Sequence, residues 1–189
     1  MGESQTQTLQ IKALLKAWTD ACASPKETIF RGHCKAPIEL QVRGTLQAPK
    51  HTSRVTSPDT WVGFRYINRL TLSGGGTFDG RGALSWKQND CNENKNCKSR
   101  VVNIRFDFVN DTIIKDITSL DSKNFHLNVC HNITFQHATI TAPGESVKTD
   151  GIHIARSTMF TVANTSIGTG DDCIYIGDGT SQLKFTNVT

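Results

Sequence analysis

Apolar and polar residues alternate over short stretches along most of this chain. The alternation is clearest in Ile104-x-Phe106-x-Phe108, Phe125-x-Leu127-x-Val129 and Ile152-x-Ile154. An apolar residue at every second position is typical of a β-strand that buries one face. Gly, Asn, Asp and Pro separate these stretches and indicate turns between them. The sequence therefore predicts many short strands joined by turns.

A helical spacing occurs near the N-terminus. Apolar residues recur there at steps of three and four, namely Ile11, Leu14, Leu15, Trp18 and Cys22. This spacing gives one apolar face and predicts a short helix over about residues 9–23. Pro25 prevents a longer helix, because proline lacks the backbone N–H that the helix interior needs.

One sequence pattern, which contains two predicted strands, is repeated along the chain. Residues 125–140 align with residues 152–167, and a third copy occupies residues 174–189. In the first two copies Phe125, Leu127, Ile133, Phe135 and Ile140 fall on Ile152, Ile154, Phe160, Val162 and Ile167, respectively. The matching residues of the third copy are Ile174, Ile176, Leu183 and Phe185. A fainter copy begins at Ile104.

Repeats of this length, each with several short strands, predict an all-β solenoid of the parallel β-helix type. An antiparallel sandwich also has spaced strands, but it does not explain why the pattern returns three times. We expect a single domain over residues 1–189, with coils over about residues 28–189. The N-terminal helix would cover the first end, because an open sheet edge invites association. The pattern stops within a strand at Thr189, so a C-terminally truncated solenoid is expected.

Three acidic residues come together in this alignment. Asp150-Gly151-Ile152 aligns with Asp172-Cys173-Ile174, and Asp171 lies beside Asp172. Aligned residues of a parallel β-helix stack about 4.8 Å apart. Carboxylates in register suit a proton donor beside a general base, as in glycoside hydrolysis, and equally a Ca²⁺ site. Turn chemistry is the simpler explanation for any one Asp, and it is weaker for three acids in register.

Composition and charge limit the classes of partner that can be expected. The chain has 37% hydrophobic and 20% charged residues, which indicates a folded protein. Its net charge is +4, and its Lys and Arg residues are scattered rather than clustered. This distribution argues against a nucleic-acid partner. No segment is long and apolar enough to span a bilayer, so a membrane partner is not expected either.

Cysteines and glycosylation sequons indicate export. None of the six cysteines has the paired short spacing of a zinc site. A Cys91–Cys97 bridge would close a small polar loop. Four Asn-x-Ser/Thr sequons lie at Asn110, Asn132, Asn164 and Asn187. Disulfides and sequons both suit an oxidising, glycosylating route, so we expect a secreted glycoprotein, although no signal peptide opens the chain.

Two motifs around the aligned acids resemble those of a known enzyme family. The segments Thr149-Asp150-Gly151-Ile152-His153 and Gly168-Thr169-Gly170-Asp171-Asp172-Cys173 resemble signature motifs of the polygalacturonases, glycoside hydrolase family 28. The run GGGTFDGRGALSW, residues 74–86, is similar to an early family segment. The runs LLKAWTDACAS and ITAPGESVKTDGIH resemble the plant pollen-type exopolygalacturonases. The resemblance extends from about Leu9 onward.

The resemblance implies a right-handed parallel β-helix and hydrolysis of α-1,4-linked galacturonan, or pectin, with inversion of configuration and without a metal or other cofactor. Asp171 would donate the proton to the glycosidic oxygen, and Asp150 and Asp172 would activate the attacking water. Inverting sites hold their two carboxyl groups roughly 6.5–9.5 Å apart to admit that water. Lys148 and His153 are candidate substrate-binding residues. The complete protein is expected to be a secreted, cell-wall monomer.

Several features depart from the family pattern. Lys148 stands where the family has Asn, and we interpret it as a defect or as a contact to a substrate carboxylate. The Gly-His-Gly and Arg-x-Lys motifs are absent from these residues, so weak or no activity is expected of this chain alone. The family partner of Cys173 lies in the same absent stretch, which predicts an unpaired thiol. His126 and His131 are interpreted as surface or turn residues.

Two other functions stay open at this point. A non-catalytic pectin-binding protein of the cell wall, allergen-like in character, would keep the fold without the motifs that hold the substrate for cleavage. A Ca²⁺-dependent pectate lyase would also use clustered acids on a β-helix. Insensitivity to chelators and the lack of an unsaturated product would separate a hydrolase from the lyase.

Overall fold

The computed structural model describes residue 18 and residues 23–26, 28–55, 57–91, 93–94, 101–129 and 132–189. Strands dominate this part of the chain. Helical elements with both ends inside the described ranges include α1, Ala83–Lys87, and a 3₁₀ turn, Thr52–Arg54. Short strands recur because turn residues interrupt each apolar alternation after a few positions.

The strands lie on three faces of a coil. The first face contains β1 (Ala23–Lys26), β2 (Ile29–Arg31), β5 (Thr60–Arg65), β8 (Val102–Asp107), β11 (Leu127–Val129), β14 (Ile152–Ile154) and β16 (Ile174–Ile176). The second contains β3 (Ile38–Gln41), β6 (Leu70–Ser73), β9 (Thr112–Lys115), β12 (Ile133–Gln136), the first part of β15 (Thr158–Gly168) and β17 (Ser181–Val188). The third contains β4 (Thr45–Gln47), β7 (Thr77–Asp79), β10 (Thr118–Leu120), β13 (Thr139–Thr141) and the last residues of β15.

Apart from the pair of β1 and β2, each strand pairs with the strand one coil away and not with its neighbour in sequence. The pairs are parallel except for the antiparallel pair of β1 and β2. Strand β15 pairs with β12 and then with β13, and so joins the second and third faces. The predicted all-β, right-handed parallel β-helix is therefore confirmed. That residues 1–189 form one domain stays a prediction.

The predicted repeat is correct in its second strand and shifted in its first. Ile133 pairs with Phe160, as predicted. In the first strand Leu127, rather than Phe125, pairs with Ile152. This shift is two residues, and because side chains alternate with period two, it keeps the same face inward. The third copy has the predicted register, with Ile174 opposite Ile152.

The end of β8 also differs from the prediction. Ile104 and Phe106 are buried, but Phe108 is 55% exposed and lies beyond the strand. Its φ of 53° is left-handed, so the backbone turns there and the side chain leaves the core. Phe108 stacks instead on Tyr66 of the preceding coil, at 5.0 Å between ring centroids.

Trp18 covers the first coils. The predicted helix over about residues 9–23 lies outside the described residues except for Trp18 and for Ala23, which begins β1. The Trp18 indole is 2% exposed and packs on Phe30 at 4.9 Å between ring centroids. Its Nε1 donates a hydrogen bond to the Arg31 carbonyl at 3.0 Å. That a helix covers this end of the solenoid stays a prediction.

Cys34 and Cys91 each form a disulfide, whereas Cys173 carries a free, exposed thiol. Cys97 lies outside the described residues, so its pairing with Cys91 stays a prediction. Within the described ranges, no helix is long and apolar enough to cross a membrane.

A stack of three phenylalanine rings runs through the core of the first coils. Phe30 pairs with Phe64 and Phe64 with Phe106, so the same position is aromatic on three successive rungs. The ring centroids lie 5.1 Å apart at both steps, with planes within 15° of each other. Parallel pairing thus converts a repeated residue type into continuous packing.

We predict that Phe64→Ala lowers the free energy of unfolding by about 3–5 kcal/mol, because it removes the middle ring of this stack and leaves a cavity. Denaturant unfolding followed by circular dichroism measures the loss. Phe108→Ala is the control, since that ring lies on the surface, and it should cost less than about 1.5 kcal/mol. Equal losses for both variants would contradict the role of the stack.

Candidate functional site

The two motif acids Asp150 and Asp172 occupy neighbouring rungs at the start of β14 and β16. The Gly151 N–H donates to the Asp172 carbonyl at 2.8 Å, and the Ile152 N–H donates to the Cys173 carbonyl at 3.0 Å. These bonds continue the ladder that pairs Ile152 with Ile174. The predicted backbone juxtaposition of the two acids is therefore confirmed.

A buried hydrogen-bond cluster joins the loops that precede the acids. The Thr149 hydroxyl donates to the Ser146 carbonyl at 3.0 Å and accepts from the Gly170 N–H at 3.0 Å. Ser146 and Thr149 are both fully buried. The cluster fixes the loop that leads into Asp150 relative to the loop that leads into Asp171. Ser146 was not among the predicted site residues, because a single Ser in a turn carries no sequence signal.

The glycines of the motifs are required by close backbone approach. A Cβ on Gly170 would lie 2.0 Å from the Ser146 carbonyl oxygen. A Cβ on Gly151 would lie 2.5 Å from the Cys173 carbonyl oxygen. Neither position has room for a side chain, so both glycines allow the loops and rungs to pack closely enough to align the acids.

The three acids have different surroundings. Asp150 is buried, and its Oδ2 lies 3.4 Å from Nδ1 of His153. Asp171 and Asp172 are exposed. The Asp172 N–H donates to Oδ1 of Asp171 at 3.1 Å, which fixes that carboxylate against the backbone. One acid is therefore held inside the fold while two face the solvent beside it.

His153 is clamped between two aromatic rings on the outer side of the first face. Its imidazole lies 4.3 Å from the Phe125 ring and 4.4 Å from the Tyr175 ring, with planes within 13° of each other. His153 and Tyr175 are paired in the ladder. The His153 ring therefore packs against side chains of the neighbouring rungs. The roles of Phe125 and Tyr175 were not predicted, since stacking depends on the register.

Lys148 is exposed and has a φ of 61°. This left-handed conformation is one that Asn adopts far more readily than Lys. The backbone therefore explains why an Asn suits this position and why the Lys is strained there.

His126 is not the surface or turn residue that we predicted. It is fully buried one rung before Asp150, and its backbone N–H donates to the Asp150 carbonyl at 2.8 Å. Its Nδ1 lies 2.9 Å from the Ser119 hydroxyl, which accepts a hydrogen bond from Asn103 Nδ2 at 2.9 Å. Burial lowers the pKa of His126 to about 3, so the ring is neutral at physiological pH. His131 lies outside the described residues.

Among the described residues, no group of three or more His, Cys, Asp or Glu side chains is arranged to hold a metal ion.

Comparison with known proteins gives a consistent result. The profile of glycosyl hydrolases family 28 matches residues 19–189. An exopolygalacturonase of Platanus acerifolia is 47% identical over 94% of this chain and 51% of its own length. A polygalacturonase of Medicago sativa is 48% identical over 94% of this chain and 47% of its own length. The chain thus spans about half the length of the curated relatives it matches.

Solved structures share the fold. A polygalacturonase from Erwinia carotovora ssp. carotovora has a TM-score of 0.72 at 20% identity, over 94% of this chain and 58% of that one. A hyperthermoactive exopolygalacturonase from Thermotoga maritima has a TM-score of 0.65 at 15% identity, over 97% of this chain and 56% of that one. At these identities the likeness concerns the fold alone.

We predict that the buried His126 makes the fold sensitive to acid. In the unfolded chain this histidine takes up a proton below about pH 6.5, whereas the folded pKa of about 3 keeps it neutral. Because the unfolded state binds more protons in this window, stability falls as the pH drops from about 6.5 towards 3.

Urea unfolding at pH 7 and pH 5, for the natural protein and for His126→Gln, tests this. The natural protein should lose about 2 kcal/mol more than the variant between the two pH values. Other titrating groups are common to both proteins and cancel in the difference. Equal losses would mean that His126 is protonated in the folded state.

Proposed function

The chain belongs to glycosyl hydrolases family 28, and we propose that it supplies the acids of an enzyme that hydrolyses α-1,4-linked galacturonan with inversion of configuration. The observation that carries the proposal is the register that sets Asp150 and Asp172 on neighbouring rungs, with Asp171 adjacent. The polygalacturonase names of relatives up to 48% identical support the choice of substrate.

In the proposed reaction, Asp171 protonates the glycosidic oxygen as the bond from that oxygen to the anomeric carbon breaks. A water molecule attacks the same carbon from the opposite side, and Asp150 and Asp172 accept its proton. Exposure of Asp171 suits a group that must reach the leaving oxygen. Burial of Asp150 beside His153 suits a group that holds a fixed geometry. Backbone rungs lie about 4.8 Å apart, so the side chains of acid and base must diverge to admit the water.

Lys148 and His153 are proposed to contact the substrate. A cation at Lys148 is exposed next to the acid loop and is suited to a galacturonate carboxylate. His153 presents its ring edge on the outer side of β14, beside Asp150. The partner is therefore pectin or polygalacturonic acid, and secretion to the cell wall follows from where that polymer occurs.

We predict that Asp171→Asn lowers kcat on polygalacturonic acid by about 10²–10⁴-fold in the natural protein that carries this chain, because the amide cannot donate the proton. Release of reducing ends, measured with a chelator present, gives the rate. The control is Asp116→Asn, which changes an exposed carboxylate on a distant turn and should leave kcat unchanged.

Each outcome of that assay separates the alternatives. Reducing ends without unsaturated product support hydrolysis. An unsaturated product that disappears with chelator would indicate a Ca²⁺-dependent lyase instead. Binding of the polymer by folded protein without any release would indicate a non-catalytic pectin-binding protein. Full activity of Asp171→Asn would overturn the role of the proton donor.

We predict that Lys148→Asn raises kcat or leaves it unchanged, whereas loss of the proposed contact to the substrate carboxylate would raise KM. Asn relieves the left-handed strain at this position and should stabilise the fold by a few tenths to about 1 kcal/mol. Thermal unfolding measures the stability gain, and KM and kcat on polygalacturonic acid measure the functional effect. A large rise in KM would show that Lys148 binds the substrate carboxylate, and a large fall in kcat would show that it is not a defect.

A further inference from the structure

The turn after β8 carries an aromatic ring and a sequon asparagine on the same side. Phe108 is 55% exposed and Asn110 is exposed, whereas Val109 between them is fully buried. Since Val109 enters the core, the ring and the carboxamide both leave the turn towards the solvent. Thr112 completes the sequon Asn110-Asp111-Thr112. The ring therefore precedes a possible N-glycosylation site by two positions.

The turn one coil earlier holds both side chains in place. Tyr66, Ile67 and Asn68 repeat the same order of aromatic, buried apolar and amide residues after β5. The Tyr66 and Phe108 rings stack at 5.0 Å between centroids, with an angle of 1° between their planes. Asn110 Nδ2 donates a hydrogen bond to Asn68 Oδ1 at 3.1 Å. The ring and the carboxamide are therefore both oriented before any sugar is attached.

The amide bond between the two asparagines leaves one N–H of Asn110 for a glycan. A side-chain carboxamide has two N–H bonds, and an N-linked sugar replaces one of them. The hydrogen bond to Asn68 uses only one N–H, so it can persist after glycosylation. An open hollow of about 510 Å³, lined in part by Asn68, Arg69 and Asn110, gives room for sugar rings. Asn68 is followed by Arg69 and Leu70 and is not a sequon, so Asn110 is the acceptor in this pair of turns.

Two other sequons differ at the position of the ring. Asn164 follows Val162 by two positions, and Val162 is fully buried. Asn187 follows Phe185 by two positions, but Phe185 pairs with Val162 and so occupies a position that faces the core. Of these three asparagines, Asn110 is the one with an outward-facing ring beside it.

We propose that Asn110 carries an N-linked glycan whose first N-acetylglucosamine packs one face against the Phe108 ring. A pyranose ring presents C–H groups on its faces, and an oriented, exposed aromatic ring offers them an apolar surface. The contact removes apolar area of both rings from water. Asn110 follows the end of β8, whereas Asp150 precedes the start of β14, so the glycan leaves the acids accessible.

Glycopeptide mass spectrometry tests the modification. The natural protein that carries this chain is secreted from eukaryotic cells that make oligomannose glycans and is trimmed with endoglycosidase H. This enzyme leaves one N-acetylglucosamine on each glycosylated asparagine. The peptide that contains Asn110 should carry that single sugar. Secreted, folded protein with an unmodified Asn110 would overturn the proposal.

Thermal unfolding of the trimmed protein tests the contact with the ring. Asn110→Gln, which removes the sugar, should lower Tm by about 1–3 °C more in the natural sequence than in the Phe108→Ala background. Asn164→Gln is the matched control, and its effect on Tm should be the same in both backgrounds, because Val162 rather than an exposed ring precedes it.

The same comparison on protein exported to the bacterial periplasm, which adds no glycan, separates the sugar from the bare side chains. There Asn110→Gln should change Tm equally with and without Phe108→Ala. Equal effects in the glycosylated protein as well would show that the sugar does not touch the ring and would overturn the contact. A dependence on Phe108 that persists without the glycan would also overturn it.

Discussion

The parallel backbone ladder is the constraint on which the rest of this structure depends. Each rung of the first face hydrogen-bonds to the rung one coil away in a fixed register, so residues at equivalent positions of successive coils become neighbours about 4.8 Å apart. The same rule produces the stack of Phe30, Phe64 and Phe106 inside and the pair Asp150 and Asp172 at the strand starts. A slip of one residue would reverse the faces and would separate the acids from each other.

Buried polar groups in the coils that precede the acids favour this register. The His126 N–H bonds the Asp150 carbonyl, while its ring is tied through Ser119 to Asn103. Lys123 is also buried and donates to the Gly80 carbonyl, and burial lowers the pKa of its ammonium to about 8. Buried polar groups are costly unless they are hydrogen-bonded, so each of them favours one arrangement of the coils over alternatives. The proposed site is thus built on backbone and core, while Asp171 and Asp172 face the solvent.

The architecture could be predicted from the sequence because residues that align between repeats are the residues that stack between coils. Copies at 152 and 174 align with the observed register, and the acids follow from it. The first strand of the copy at 125 was placed two residues early, since a period of two leaves both placements with the same buried face. The inward position of His126 and the clamp around His153 arise from contacts between coils. The alternation of apolar residues within one strand carries no information about contacts between coils. The alternation in the sequence also includes Phe108, whereas in the structure the positive φ of Phe108 ends the strand before that residue.

The stereochemistry of the first product tests the central claim, that acids on neighbouring rungs perform an inverting hydrolysis. Proton NMR of galacturonan digested briefly by the natural protein resolves the anomers before they equilibrate. An attack by water on the side opposite the leaving oxygen predicts that the new reducing end appears first as the β-anomer. Initial release of the α-anomer would require a covalent intermediate and would contradict the roles assigned to Asp150, Asp171 and Asp172.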